Sequence, residues 1–119
     1  MLSASEAALL ALSLPGAVEK DHFGSRSFRV GGKIFAQVGT DPDRALVKVA
    51  PADQRALIAA NPDTFQAAAS WGRYGWTYVA LGRTDRRELA SLLRRSFQLI
   101  TEARRHSRHR PSTDRLERP

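Results

Sequence analysis

Apolar and polar positions along the chain repeat with two periods, and the switches between them outline the fold. Ser3-Ala4-Ser5-Glu6 has the spacing of a capping box. In such a box the hydroxyl of the first residue accepts from the backbone of the fourth, whose carboxylate reaches back. The spacing predicts a helix that carries Leu9, Leu10, Leu12 and Leu14 onto a surface and ends at Pro15-Gly16. An extended segment follows over 17–22, broken by Gly24-Ser25. Ser27-Phe28-Arg29-Val30 and Lys33-Ile34-Phe35-Ala36-Gln37-Val38 flank Gly31-Gly32. Glycine reaches positive φ without steric cost, so the two runs read as a hairpin with a two-residue primed turn. That turn pairs Val30 with Lys33 and Phe28 with Phe35, and sets Phe28, Val30 and Phe35 on one face with Arg29 and Ile34 on the other.

After the turn Asp41-Pro42-Asp43, residues 45–49 form a strand with Val47 and Val49 on one face and Leu46 and Lys48 on the other. Pro51 opens a short helix anchored by Leu57 and Ile58, and Asn61-Pro62 closes it with a residue that tolerates the left-handed conformation before a breaker. A short strand over 64–68 leads into Trp71-Gly72-Arg73-Tyr74-Gly75-Trp76 and a strand ending at Leu81. Alternation places Trp76, Tyr78 and Ala80 opposite Thr77, Val79 and Leu81. The last helix, capped by Asp85, runs to about Ala103 with Leu89, Leu93, Phe97 and Ile100 as its apolar stripe. Arg87, Ser91, Arg94, Arg95, Gln98, Glu102 and Arg105 fall on the other side. From residue 104 to 119 the chain has little apolar content and an excess of Arg, which predicts a disordered basic tail after a single domain over 1–103.

Composition adds limits. A chain of 119 residues with 42% hydrophobic content is the size of one domain. Without cysteine it has no disulfides, thiol nucleophile or cysteine-type zinc site, which suits a cytoplasmic protein. No apolar run approaches the roughly 20 residues that span a bilayer, so a membrane-integral protein is not expected, and no membrane partner is expected. The formal charge of +7 is concentrated at one end. Residues 1–82 carry 8 basic and 7 acidic side chains, whereas residues 83–119 carry 11 and 5. A local excess of this kind attracts polyanions.

Leu14-Pro15-Gly16 with Glu19, then Phe28 through Ala36, Val47-Lys48 before Pro51, Gly75-Trp76-Thr77, and a last helix with Leu89 and Ser96-Phe97-Gln98-Leu99-Ile100 occur in an order that resembles the MmcQ/YjbR family of small bacterial proteins. The resemblance covers about residues 5 to 103, and Gly75 stands where a larger polar residue is expected before the Trp. It implies an α+β domain, a single two-layer unit with an antiparallel sheet of about five strands covered by helices on one side. That architecture is similar to frataxin-like, secretion-chaperone-like and double-wing folds, and the family is described as DNA-binding. It supplies no catalytic or binding residue.

Three clusters compete as functional surfaces. Arg87, Arg94 and Arg95 on the last helix, continued by Arg104, Arg105, Arg108 and Arg110, form a stripe able to track phosphates without reading sequence. Arg73, with the aromatic residues of the 71–76 loop, can stack on bases, or the loop can simply cover a sheet edge. Arg29, Lys48, Trp76 and Tyr78 form a basic, aromatic platform if they share the open face of the sheet; the same residues also suit an ordinary solvated face. Glu19, Asp21 and His22 are adjacent, but alternation in an extended segment sends them to opposite faces. His106 and His109 lie among arginines that repel a cation, and no metal or cofactor is expected. The reading is therefore a non-catalytic protein that contacts nucleic acid, duplex DNA above all, with low sequence specificity through the last helix and tail. The alternative is a protein-interaction module using the open face of the sheet, with a protein partner or a second copy as its ligand.

Overall fold

A computed structural model of the protein describes residues 2–108, with side chains described through Ala103. Its elements in chain order are α1 (Ala4–Leu12), β1 (Val18–His22), β2 (Ser25–Val30), β3 (Lys33–Gly39), β4 (Arg44–Lys48), α2 (Pro51–Ala60), β5 (Phe65–Ala67), β6 (Trp76–Ala80) and α3 (Arg86–Arg108). Two 3-10 helices, Ala69–Tyr74 and Leu81–Arg83, bracket β6. The sheet has six antiparallel strands in the order β1-β2-β3-β4-β6-β5, and helices pack on one face of it.

Local chemistry builds these elements as the sequence predicts. The Ser3 hydroxyl accepts from the Glu6 amide at 3.1 Å and a Glu6 carboxylate oxygen accepts from the Ser3 amide at 3.0 Å, completing the capping box of α1. Asp85 caps α3 by accepting from the Glu88 amide at 2.8 Å. Gly31 and Gly32 both take positive φ, at 58° and 82°, as the primed turn requires. Two boundaries differ. Asn61 closes α2 at φ −145° rather than in the left-handed region, its amide donating to the Leu57 carbonyl. Helix α3 passes Ala103 and continues to Arg108, because arginine propagates a helix well and the next breaker is Pro111.

The core lies between the sheet and α1 and α3. Phe28, Ala36, Val38, Ala45, Val47, Thr77 and Val79 point inward from the strands with Val49 just past β4, and Leu89, Leu92, Leu93, Ser96 and Ile100 meet them from α3. Helix α1 docks through Ala7, Ala8 and Ala11 with Leu10 partly buried beside them, and Leu14 beyond its end also packs on the core, so of the four leucines the sequence suggests only Leu9 and Leu12 are left exposed. Small side chains let α1 sit close against both the sheet and α3, while Leu9 and Leu12 turn outward.

The hairpin register also departs from expectation. Val30 pairs with Lys33 and Arg29 with Ile34, but Phe28 pairs with Ala36, so Phe35 is left over as a β-bulge. The bulge turns Phe35 inward beside Ala36, and its ring meets Phe97 edge-on with centroids 5.4 Å apart. The expected pairing of Phe28 with Phe35 fails because this bulky aromatic fills the space under α3.

Candidate functional site

The register fixes which side chains project from the face that the helices leave uncovered. Lys20 and His22 of β1 pair with Ser27 and Ser25 of β2, and Arg29 pairs with Ile34 of β3. Gln37 pairs with Leu46, which pairs in turn with Tyr78, while Lys48 pairs with Trp76 and Arg44 with Ala80. Cross-strand partners share a face. The open face therefore carries Lys20, Arg29, Arg44 and Lys48 as cations. Both carboxylates in the strands, Glu19 and Asp21, pair with Phe28 and Arg26 on the opposite face.

Across this face runs a groove of about 350 Å³ lined by His22, Ile34, Gln37, Leu46, Trp71 and Trp76. Its floor is apolar, from Ile34 and Leu46. His22 at the end of β1 stands toward one side, and Trp71, brought over the sheet by the 3-10 helix, toward the other. Trp71 is 63% exposed although it belongs to the lining. The Arg29 guanidinium lies 3.5 Å from His22 Nδ1 and 3.5 Å from the Ser27 hydroxyl. The Arg44 guanidinium lies 3.7 Å from the centre of the Tyr78 ring, so a cation and an aromatic face are held together beside the groove.

Backbone chemistry anchors the aromatic end. Gly75 takes φ 98° as it closes the 3-10 helix, and a Cβ there would overlap the Val49 carbonyl oxygen. Only glycine fits this approach, which accounts for the absence of the larger residue expected before Trp76. The Val49 amide donates to the Gly75 carbonyl at 3.0 Å. Buried Gln54 of α2 donates from Nε2 to the Trp76 carbonyl at 3.1 Å and to the Thr77 hydroxyl at 3.0 Å, and that hydroxyl donates to the Gly75 carbonyl. Trp76 is thus held by its backbone from α2 and β4.

Of the residues singled out in the sequence, Arg29, Lys48, Trp76 and Tyr78 share the open face, and Arg73 stands exposed in the 3-10 helix beside Tyr74 with its guanidinium 4.9 Å from that ring. The exposed side chains of Arg87, Arg94 and Arg95 belong to the helix layer, which packs on the other face. The structure therefore splits the candidates into two surfaces on opposite sides of the sheet. Arg95 is partly committed already, 4.0 Å from Asp53. Arg104, Arg105, His106 and Arg108 lie beyond the described side chains, and His109, Arg110 and the rest of the predicted tail lie outside the described residues. Glu19 is removed from His22 and Trp76 by alternation and is bound to Arg26 at 2.6 Å. That contact holds the Glu19 carboxyl below its ordinary pKa, chiefly through the hydrogen bond from Arg26, and holds the Arg26 pKa above its own.

Sequence reasoning did not single out Lys20, Gln37 or Arg44, and it offered Trp71 only with the 71–76 loop, as a surface separate from the open face of the sheet. Arg44 was accessible from alternation, two residues before Leu46. Trp71 was not, because no periodic signal says where a 3-10 helix aims a side chain.

Comparisons agree with this architecture. The crystal structure of the Deinococcus radiodurans protein DR2400, a DUF419 domain, is similar to this chain with a TM-score of 0.76 at 26% identity, over 85% of this chain and 80% of that one. No curated protein matches. The YjbR family model matches residues 12–99, from the end of α1 into α3. By that match the chain belongs to the YjbR family.

Proposed function

We propose that this chain is a non-catalytic nucleic-acid-binding protein of low sequence specificity, and that its principal contact surface is the open face of the sheet. The observation that carries the reading is the charge pattern of that face. Lys20, Arg29, Arg44 and Lys48 project from it, the strand carboxylates point the other way, and aromatic side chains lie between the cations. Cations that track a backbone beside aromatic rings that stack on bases are the combination a nucleic acid engages without base-edge readout. The arginines of α3 add a second, weaker phosphate surface on the opposite side.

The test is a fluorescence anisotropy titration of labelled DNA, single-stranded and duplex, at several salt concentrations. Arg29→Ala with Lys48→Ala is compared against Arg94→Ala with Arg95→Ala. Removal of two single-strand phosphate contacts lowers the slope of log affinity against log salt by about 1.4. The open-face pair is expected to show that loss and the helix pair less of it. An unchanged affinity and slope in the open-face pair, with loss in the helix pair, moves the surface to α3. Absence of DNA binding by the wild-type chain at low salt overturns the reading and leaves a protein segment as the ligand of the apolar groove floor.

A further inference from the structure

Resting on the nucleic-acid reading, we infer that the groove holds one unstacked base of a single strand, with the neighbouring phosphates on the cations around it. At about 350 Å³ the groove lies near the lower end of the roughly 300–1,000 Å³ range of small-ligand sites, large enough for a base and too small for a duplex. Its lining supplies what an unpaired base needs. Trp71 and Trp76 offer π faces, Ile34 and Leu46 an apolar floor, and the Gln37 side-chain amide makes no hydrogen bond among the described residues, leaving a donor and an acceptor for a base edge. A paired, stacked base in a duplex presents no face to this groove, whereas a single strand can turn one in.

The cations sit where the flanking phosphates would run. Lys48 is the direct cross-strand partner of Trp76, Arg29 is the partner of Ile34, and Arg44 lies over Tyr78, the partner of Leu46. A strand crossing the groove passes a cation on each side of the inserted base. Specificity is then for an unpaired base over a paired one rather than for one sequence over another.

The experiment titrates the full chain with three labelled ligands of equal length: oligo-dT, an abasic single strand with the same phosphates, and a duplex. Trp71→Ala is the variant, because that side chain is largely exposed and lies outside the buried core. The chain's two tryptophans both line the groove, so intrinsic fluorescence provides a second readout. Oligo-dT is expected to bind about tenfold or more tighter than the abasic strand or the duplex, and to quench tryptophan emission. Trp71→Ala is expected to bring oligo-dT down to the abasic level while leaving abasic binding unchanged. Equal affinity for all three ligands, unaffected by Trp71→Ala, overturns the base-binding inference and leaves nucleic-acid binding by charge alone. Failure of every ligand to bind at low salt overturns both.

Discussion

The Ser96 hydroxyl donates to the Phe35 carbonyl at 2.6 Å and accepts from the Lys48 amide at 2.9 Å, so one buried side chain of α3 joins β3 to β4. The β-bulge explains why it is needed. Phe35 has no cross-strand partner, and β3 and β4 pair only as far as Ala36 with Val47, which leaves a carbonyl and an amide to be satisfied from outside the ladder. Removal of a buried partner costs the desolvation of the groups left behind, about 1–3 kcal/mol each. Ser96→Ala is expected to destabilise the protein by at least about 2 kcal/mol, read as a lower midpoint in urea unfolding with little change in slope. A change below about 0.5 kcal/mol would mean that water reaches both groups.

Gly75→Ala tests the backbone under Trp76. The substitution forces an L residue to φ 98° and drives a methyl into the Val49 carbonyl. Positive-φ strain of about 1–3 kcal/mol adds to that overlap. The expected result is a lower thermal midpoint together with an altered near-ultraviolet signal from Trp76, whereas Gly32→Ala, where a Cβ meets no neighbour, shows strain alone.

Glu19 and Glu6 both have pKa values below the ordinary range. Arg26 holds Glu19 down, and the hydrogen bond from the Ser3 backbone is the leading cause for Glu6. A lowered folded pKa gives stability that is complete above the unfolded value, about 4.3, and is lost as pH falls through the folded value. Stability is therefore expected to fall between about pH 5 and pH 3. Glu19→Gln should flatten part of that fall, by a small amount because the pair is solvent-exposed. Urea midpoints at a series of pH values measure it, and a wild-type curve identical to that of Glu19→Gln refutes it.

Truncation after Ala103 separates fold from charge. Ile100 is the last core residue among those described, and the arginines at 104, 105, 108 and 110 follow it. The shortened chain is expected to keep its thermal midpoint within a few degrees and to keep single-strand binding, with a shallower salt dependence. Loss of cooperative unfolding would show that the end of α3 contributes to the core.

The sequence by itself determined the elements and the composition of the two sheet faces. Both follow from local rules. Capping at Ser3 and Asp85, the paired glycines at 31 and 32, and period-two alternation through Leu46-Val47-Lys48 and Trp76-Thr77-Tyr78 depend on neighbours in the chain, and the structure bears each of them out. Tertiary structure decided the rest because it depends on residues far apart in the chain. The bulge at Phe35 answers to Phe97 and Ser96 on a helix some sixty positions later, and it shifts the hairpin register that a turn alone would set. That alanines form the fully buried face of α1, with Leu10 only partly buried beside them, reflects how closely that helix approaches the sheet and α3. The same holds for the candidate site. Strand order carries His22 from β1 and Trp71 from the 3-10 helix to a common groove, and packing α3 on the covered face sends its arginines to the opposite side from the aromatic platform. Periodicity tells which face of an element is apolar; only packing decides which elements those faces meet.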